Sequence, residues 1–87
     1  MTEDAQVQEL LNYVKQIIRR PNIQLTADAP LVSSGLIDSF ALVDLLNKLE
    51  DVTNMRISAG KVQPKDMDSV NLMLSTANRV GKPRNPR

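Results

Sequence analysis

Apolar residues recur along the first twenty positions at the spacing of one helix face. Val7, Leu10, Leu11, Val14, Ile17 and Ile18 fall at i, i+3, i+4, i+7, i+10 and i+11, which marks an amphipathic helix packed through that face. The spacing predicts a first helix from about Asp4 to Arg20. Pro21 is expected to end it, because a residue before proline is pushed out of the α region, and Arg19 and Arg20 suit the negative C-terminal end. Residues 22–37 then show no sustained period. A connection that long inside a compact domain is normally pinned or functional, and Ile23, Leu25, Leu31, Val32, Leu36 and Ile37 are apolar anchors by which it can pack across the helices.

The helical period returns after Asp38-Ser39. Leu42, Leu45, Leu46, Leu49 and Val52 form an inward stripe for a second helix over roughly Ser39 to Val52, leaving Phe40, Val43, Asp44 and Asn47 turned partly outward. Asn54-Met55-Arg56-Ile57-Ser58 reads as a turn into a short extended piece with Met55 and Ile57 on its buried side. Gly60 and Pro64 restrict the next stretch to a short third helix between about Ala59 and Asp66. Asp68-Ser69 offers another helix cap, and Val70, Met73, Leu74, Ala77 and Val80 carry a last helix to about Val80, with Gly81 as its C′ residue and Pro83 beyond. The expectation is an all-α, small four-helix bundle of three long helices plus one short, with a long loop between the first two, over residues 1–80.

Composition narrows the chemistry. At 87 residues the chain is one domain with a modest core and no room for a large enzyme cleft. Tyr13 and Phe40 are its only aromatic residues, so the core is aliphatic. Cysteine and histidine are both absent, which removes disulfides, most zinc sites and every scheme that needs a thiol or an imidazole from the protein itself. No apolar run approaches the roughly 18 residues of a membrane span, and Thr2-Glu3-Asp4 does not resemble a secretory n-region; the chain is read as cytoplasmic and monomeric. The net charge of +1 is unevenly spread: Lys82, Arg84 and Arg87 supply 3 of the 11 basic residues, leaving 8 basic and 10 acidic over residues 1–80. Residues 81–87, with two prolines, three positive charges and no apolar anchor, are expected to form a disordered basic tail. Without an aromatic platform or a reading motif, no nucleic-acid partner is expected.

The candidate chemistry is Leu31-Val32-Ser33-Ser34-Gly35-Leu36-Ile37-Asp38-Ser39-Phe40, a polar loop that opens straight into the second helix. Taken alone, Asp-Ser before a helix is an ordinary cap, since either side chain can accept a bond from an orphan N–H of the first turn. That spot also suits a phosphate ester on Ser39, because free N–H groups and the positive end of the helix dipole favour an anion. Gly35 permits a positive φ and leaves space for an incoming enzyme.

Gly35-Leu36-Ile37-Asp38-Ser39-Phe40, followed by Leu42, Val43, Leu45, Leu46 and Leu49, resembles the prosthetic-group site of acyl and peptidyl carrier proteins, in which the serine of an Asp-Ser-Leu or Asp-Ser-Met triplet bears 4′-phosphopantetheine. The resemblance implies a four-helix carrier fold, no catalytic activity, and Ser39, preceded by Asp38, as the attachment point. It assigns Phe40, Val43, Asp44, Asn47 and Glu50 to partner binding. The implied partners are a phosphopantetheinyl transferase, an adenylating acyl or aminoacyl ligase, and a downstream transferase or synthase. Asp44-Leu45-Leu46, Leu49-Glu50, Met55-Arg56-Ile57 and Lys65-Asp66-Met67-Asp68-Ser69 look most like the D-alanyl and related aminoacyl carrier branch, with Met67 where that branch usually has an aromatic. That points to an amino acid or small carboxylic acid as cargo. The family's fatty-acid members are more acidic than this chain.

The competing reading is a small helical adaptor that carries no prosthetic group, on which Ser39 is only a cap. A stand-alone enzyme ranks below both, since no paired acid and base, metal cluster or phosphate loop appears at convincing spacing.

Overall fold

The computed structural model describes residues 2–84. Three α-helices carry the fold: α1 over Glu3–Ile18, α2 over Ser39–Thr53 and α3 over Val70–Val80. Each starts on a side chain suited to the task. Thr2, Asp38 and Ser69 are the N-caps and accept from the amides of Ala5, Ala41 and Leu72 respectively, so each helix has at least one orphan donor satisfied. α1 packs on α2 and α3, and α2 on α3.

The expected stripes form the core. Leu10, Leu11 and Val14 of α1, Leu45, Leu49 and Val52 of α2, and Val70, Met73, Leu74 and Ala77 of α3 are buried, together with Leu31, Ile37, Ile57 and Met67 from the connections. Each fully buried leucine contributes about 1.5–3 kcal/mol relative to exposure. Lys48 of α2 ties the seam with α1, pairing with Glu9 at 3.2 Å and lying 5.5 Å from the centroid of the Tyr13 ring.

Four expectations are corrected. α1 stops at Ile18, two residues short of Arg20: Arg19 adopts a left-handed conformation with φ 59°, and the amides of Arg19 and Arg20 close on the carbonyls of Gln16 and Lys15. Pro21 bars Arg20 from the helix, and the chain uses Arg19 to turn away. The short third helix is replaced by two 3₁₀ turns, Ala59–Lys61 and Pro64–Met67, because Gly60 and Pro64 leave no uninterrupted stretch long enough to nucleate an α-helix. Gly81 is extended, with φ −74° and ψ 154°, and is not a left-handed C′ residue. Beyond it, Lys82–Pro83 forms a strand, β2, antiparallel to β1 at Met55–Arg56, and Arg84 meets Asp51 at 3.1 Å. The first part of the expected tail is therefore held against the end of α2; Asn85–Arg87 lie outside the described residues.

Gly81 is required here by proximity. A β-carbon at this position would run into the Ala77 carbonyl oxygen and lie 2.9 Å from Met55 Sδ. Gly81→Ala is expected to cost about 1–3 kcal/mol, the usual penalty of forced overpacking. In a domain of this size that lowers the thermal midpoint by roughly 4–8 °C per kcal/mol, which a calorimetric melt would read directly.

Candidate functional site

Residues 31–37 form a closed loop. The Ile37 amide donates to the Leu31 carbonyl at 3.1 Å, the Gly35 amide to the Val32 carbonyl at 3.0 Å, and the Ser34 hydroxyl to the Pro30 carbonyl at 2.6 Å. Leu31 and Ile37 at its two ends are buried, while Ser33, Ser34 and Gly35 are exposed. Gly35 has φ +82°, a conformation in which a side chain would be strained.

The loop is clasped by Asp68, just ahead of α3 and distant from the loop in the chain. Its Oδ1 accepts from the amides of Leu31, Val32 and Ser33 at 3.1, 2.8 and 2.8 Å, and its Oδ2 from the Ser33 hydroxyl at 2.8 Å. The Leu31 amide is shared with the Asp68 main-chain oxygen at 2.7 Å. The Ser33 amide and hydroxyl hold this carboxyl below the usual aspartate range, against an opposing effect of burial, with smaller help from the amides of Val32 and Leu31. Hydrogen bonds to the charged form are the cause. The folded pKa lies below the unfolded one, so the clasp's contribution is complete above the unfolded value, roughly pH 4, and is lost as pH falls through the folded value. Asp68→Asn is accordingly expected to flatten the acid limb of the stability curve below about pH 4; denaturant melts at stepped pH would show it.

Immediately after Ile37 the chain enters α2. Asp38, extended at φ −103°, caps the helix through Oδ1 to the Ala41 amide at 3.0 Å. The cap is thus Asp38. Ser39 is the first helical residue, is exposed, and its hydroxyl has no hydrogen-bond partner among the described residues. No acidic side chain occupies the first turn of α2, so no carboxylate beyond the cap offsets the positive end of its dipole there. A phosphodiester on Ser39 fits this arrangement.

The residues assigned to partner binding sort into two groups. Phe40, Val43, Asp44 and Asn47 share the exposed side of α2, with Phe40 86% and Val43 63% exposed. Glu50 is apart from them in role: it is half-buried, and its Oε2 accepts from the Ile57 amide at 2.7 Å, tying α2 to the residue that follows β1. Met67 is 2% exposed and belongs to the core. Beside α2 lies an open groove of about 200 Å³ lined by Leu42, Val43, Leu46, Val62, Pro64 and Met67. Sequence reading placed Leu42 and Leu46 in the interior; they are half-buried and wall this groove.

A small helical domain that presents an unengaged serine at a helix start, beside an exposed apolar side chain, has the form of a carrier domain. The family model described as the phosphopantetheine attachment site matches residues 8–65, more than half of the chain, and this protein belongs to that family. No curated protein and no solved structure matches it. Domains of this family are attachment sites for covalent 4′-phosphopantetheine; they carry and do not catalyse, and they interact with phosphopantetheinyl transferases and biosynthetic enzymes. Among the described residues, no helix is long and apolar enough to cross a membrane.

Proposed function

We propose that Ser39 is the residue that takes 4′-phosphopantetheine from coenzyme A, and that the protein carries an amino acid or small carboxylic acid between an adenylating ligase and an acceptor enzyme. The observation that carries the assignment is the division of labour at Asp38-Ser39: Asp38 performs the capping, and the exposed Ser39 hydroxyl has no partner among the described residues. When bound, the group supplies the terminal thiol, absent from this cysteine-free chain, on which cargo is held as a thioester. The first-turn amides and dipole of α2 stabilise the phosphodiester charge. Phe40 and Val43 offer apolar contact to the transferase and ligase, with Asp44 and Asn47 as polar contacts beside them.

Short cargo is favoured by the groove next to α2. Its volume of about 200 Å³ lies below the roughly 300–1,000 Å³ of ordinary small-molecule pockets, and enlarging it for a long chain would require Leu42, Leu46 and Met67 to separate. The test has two parts. Intact mass and peptide mapping, after incubation with coenzyme A, magnesium and a broad-specificity transferase, are expected to find one phosphopantetheine at Ser39; modification of a different residue would refute the site. Methyl NMR shifts at Leu42, Leu46, Val62 and Met67 are then expected to be larger for a long acyl thioester than for an aminoacyl one, and equal shifts would count against small cargo.

A further inference from the structure

We propose that Asp68 is a positioning residue for the modification of Ser39, acting through the loop it clasps; this rests on the assignment of Ser39 above. Asp68 lies outside the residues matched by the family model, 8–65, and 29 positions beyond the serine in the chain. A continuous set of contacts nevertheless joins the two. The carboxylate fixes the amides of Leu31, Val32 and Ser33. The Leu31 carbonyl receives the Ile37 amide, and both side chains are buried, at 1% and 4% exposure. Ile37 adjoins Asp38, whose carboxylate holds the Ala41 amide and with it the first turn on which Ser39 sits.

Through these links Asp68 bears on how residues 31–37 lead into the first turn of α2. The loop's own hydrogen bonds close it on itself, and the Asp68 carboxylate ties it to the segment ahead of α3. Between Val32 and Leu36 its side chains are exposed, and Gly35 adds freedom of its own. A carboxylate that gathers three successive amides and a hydroxyl behaves as an anion in a backbone nest. Charge-assisted bonds of this kind are about twice as strong as neutral ones. Without the carboxylate, residues 31–37 sample other arrangements, and an enzyme that must grip this loop together with Ser39 meets a smaller competent fraction. A reduced competent fraction raises the apparent dissociation constant in proportion, while the chemical step within the bound complex is unaltered.

The experiment compares wild type with Asp68→Ala, Asp68→Asn, Ser33→Ala and Gly81→Ala in phosphopantetheine transfer from coenzyme A. Gly81→Ala is the control, destabilised through Ala77 and Met55 without touching the loop. Asp68→Ala is expected to raise KM for the carrier about 10-fold with kcat within about twofold of wild type. Asp68→Asn and Ser33→Ala should fall between, since an amide oxygen still accepts N–H bonds and the hydroxyl is one contact of four. Gly81→Ala, assayed well below its midpoint, should match wild type.

Amide hydrogen exchange of the same variants supplies a readout that needs no transferase. Asp68→Ala should accelerate Val32 and Ser33, and also Ile37 and Ala41. Unchanged KM in Asp68→Ala, an equal rise in the Gly81→Ala control, or acceleration that stops at Ser33 would each overturn the proposal. If Asp68→Ala does not fold, Asp68→Asn and Ser33→Ala decide by the same criteria. Should wild type take no group at Ser39, the site assignment fails, and exchange at Ile37 and Ala41 still decides whether Asp68 governs the start of α2.

Discussion

A Ser39→Ala variant is expected to gain no mass when incubated with coenzyme A, magnesium and a transferase, and to unfold at nearly the wild-type denaturant midpoint. The two halves of this outcome have separate causes. Modification is lost completely because the accepting oxygen is gone and no other side chain takes its place at the start of α2. Stability is retained because Ser39 is an exposed first-turn residue whose hydroxyl bonds to nothing described, and surface substitutions away from such contacts stay within about 0.5 kcal/mol. The neighbouring Asp38→Ala gives the contrast, losing about 1 kcal/mol with the cap while keeping the hydroxyl. A folded Ser39→Ala protein that still acquires the group would end the assignment; one that unfolds readily would show that the serine has a structural task its surroundings do not reveal.

The second large effect is expected at Phe40. At 86% exposure its ring contributes almost nothing to the core, yet it stands beside Ser39, the serine proposed to accept the group. Exposed aromatic side chains next to a functional atom are characteristic anchors of an interface, and truncating an anchor commonly costs 2 kcal/mol or more of binding. Phe40→Ser should therefore lower kcat/KM for phosphopantetheine transfer by roughly 30-fold, the equivalent of about 2 kcal/mol, with the melting curve essentially unmoved. Asp44→Asn, on the same exposed side, should have a smaller effect that fades with added salt, as expected of an exposed charge. Wild-type kinetics in Phe40→Ser would remove this side of α2 from the docking surface.

The helical stripes could be read from the sequence because their determinants are local. Val7 through Ile18, Leu42 through Val52 and Val70 through Val80 carry their periodicity within a few turns, and the capping residues at Asp38 and Ser69 belong to the same short windows. What sequence did not disclose depends on distant partners. Asp68 beside Ser69 looks like part of a cap, and its actual role is settled by amides more than thirty residues earlier. Glu50 reads as one more acid on an outward face until the Ile57 amide is found against it. Lys82–Pro83 has no strand pattern at all; pairing with Met55–Arg56 alone makes it one. The stretch expected as a short helix between about Ala59 and Asp66 differs for a local reason, since Gly60 and Pro64 leave room only for isolated 3₁₀ turns. Asp38-Ser39 stands out in the chain as a short local pattern, but which of the two oxygens caps α2 depends on the fold, in which Asp38 takes the Ala41 amide.

The scarcity of aromatic residues has a practical side. Tyr13 sits where Lys48 and Glu9 bind α1 to α2, and Phe40 projects next to Ser39. With no tryptophan in the chain, tyrosine emission reports solely on that helix seam. Fluorine placed on each ring would give two well-separated resonances in a single spectrum, one following the parting of the helices and the other following the serine's surroundings. The protein thus places its two rings where they can tell a change in the bundle from an event at its tip.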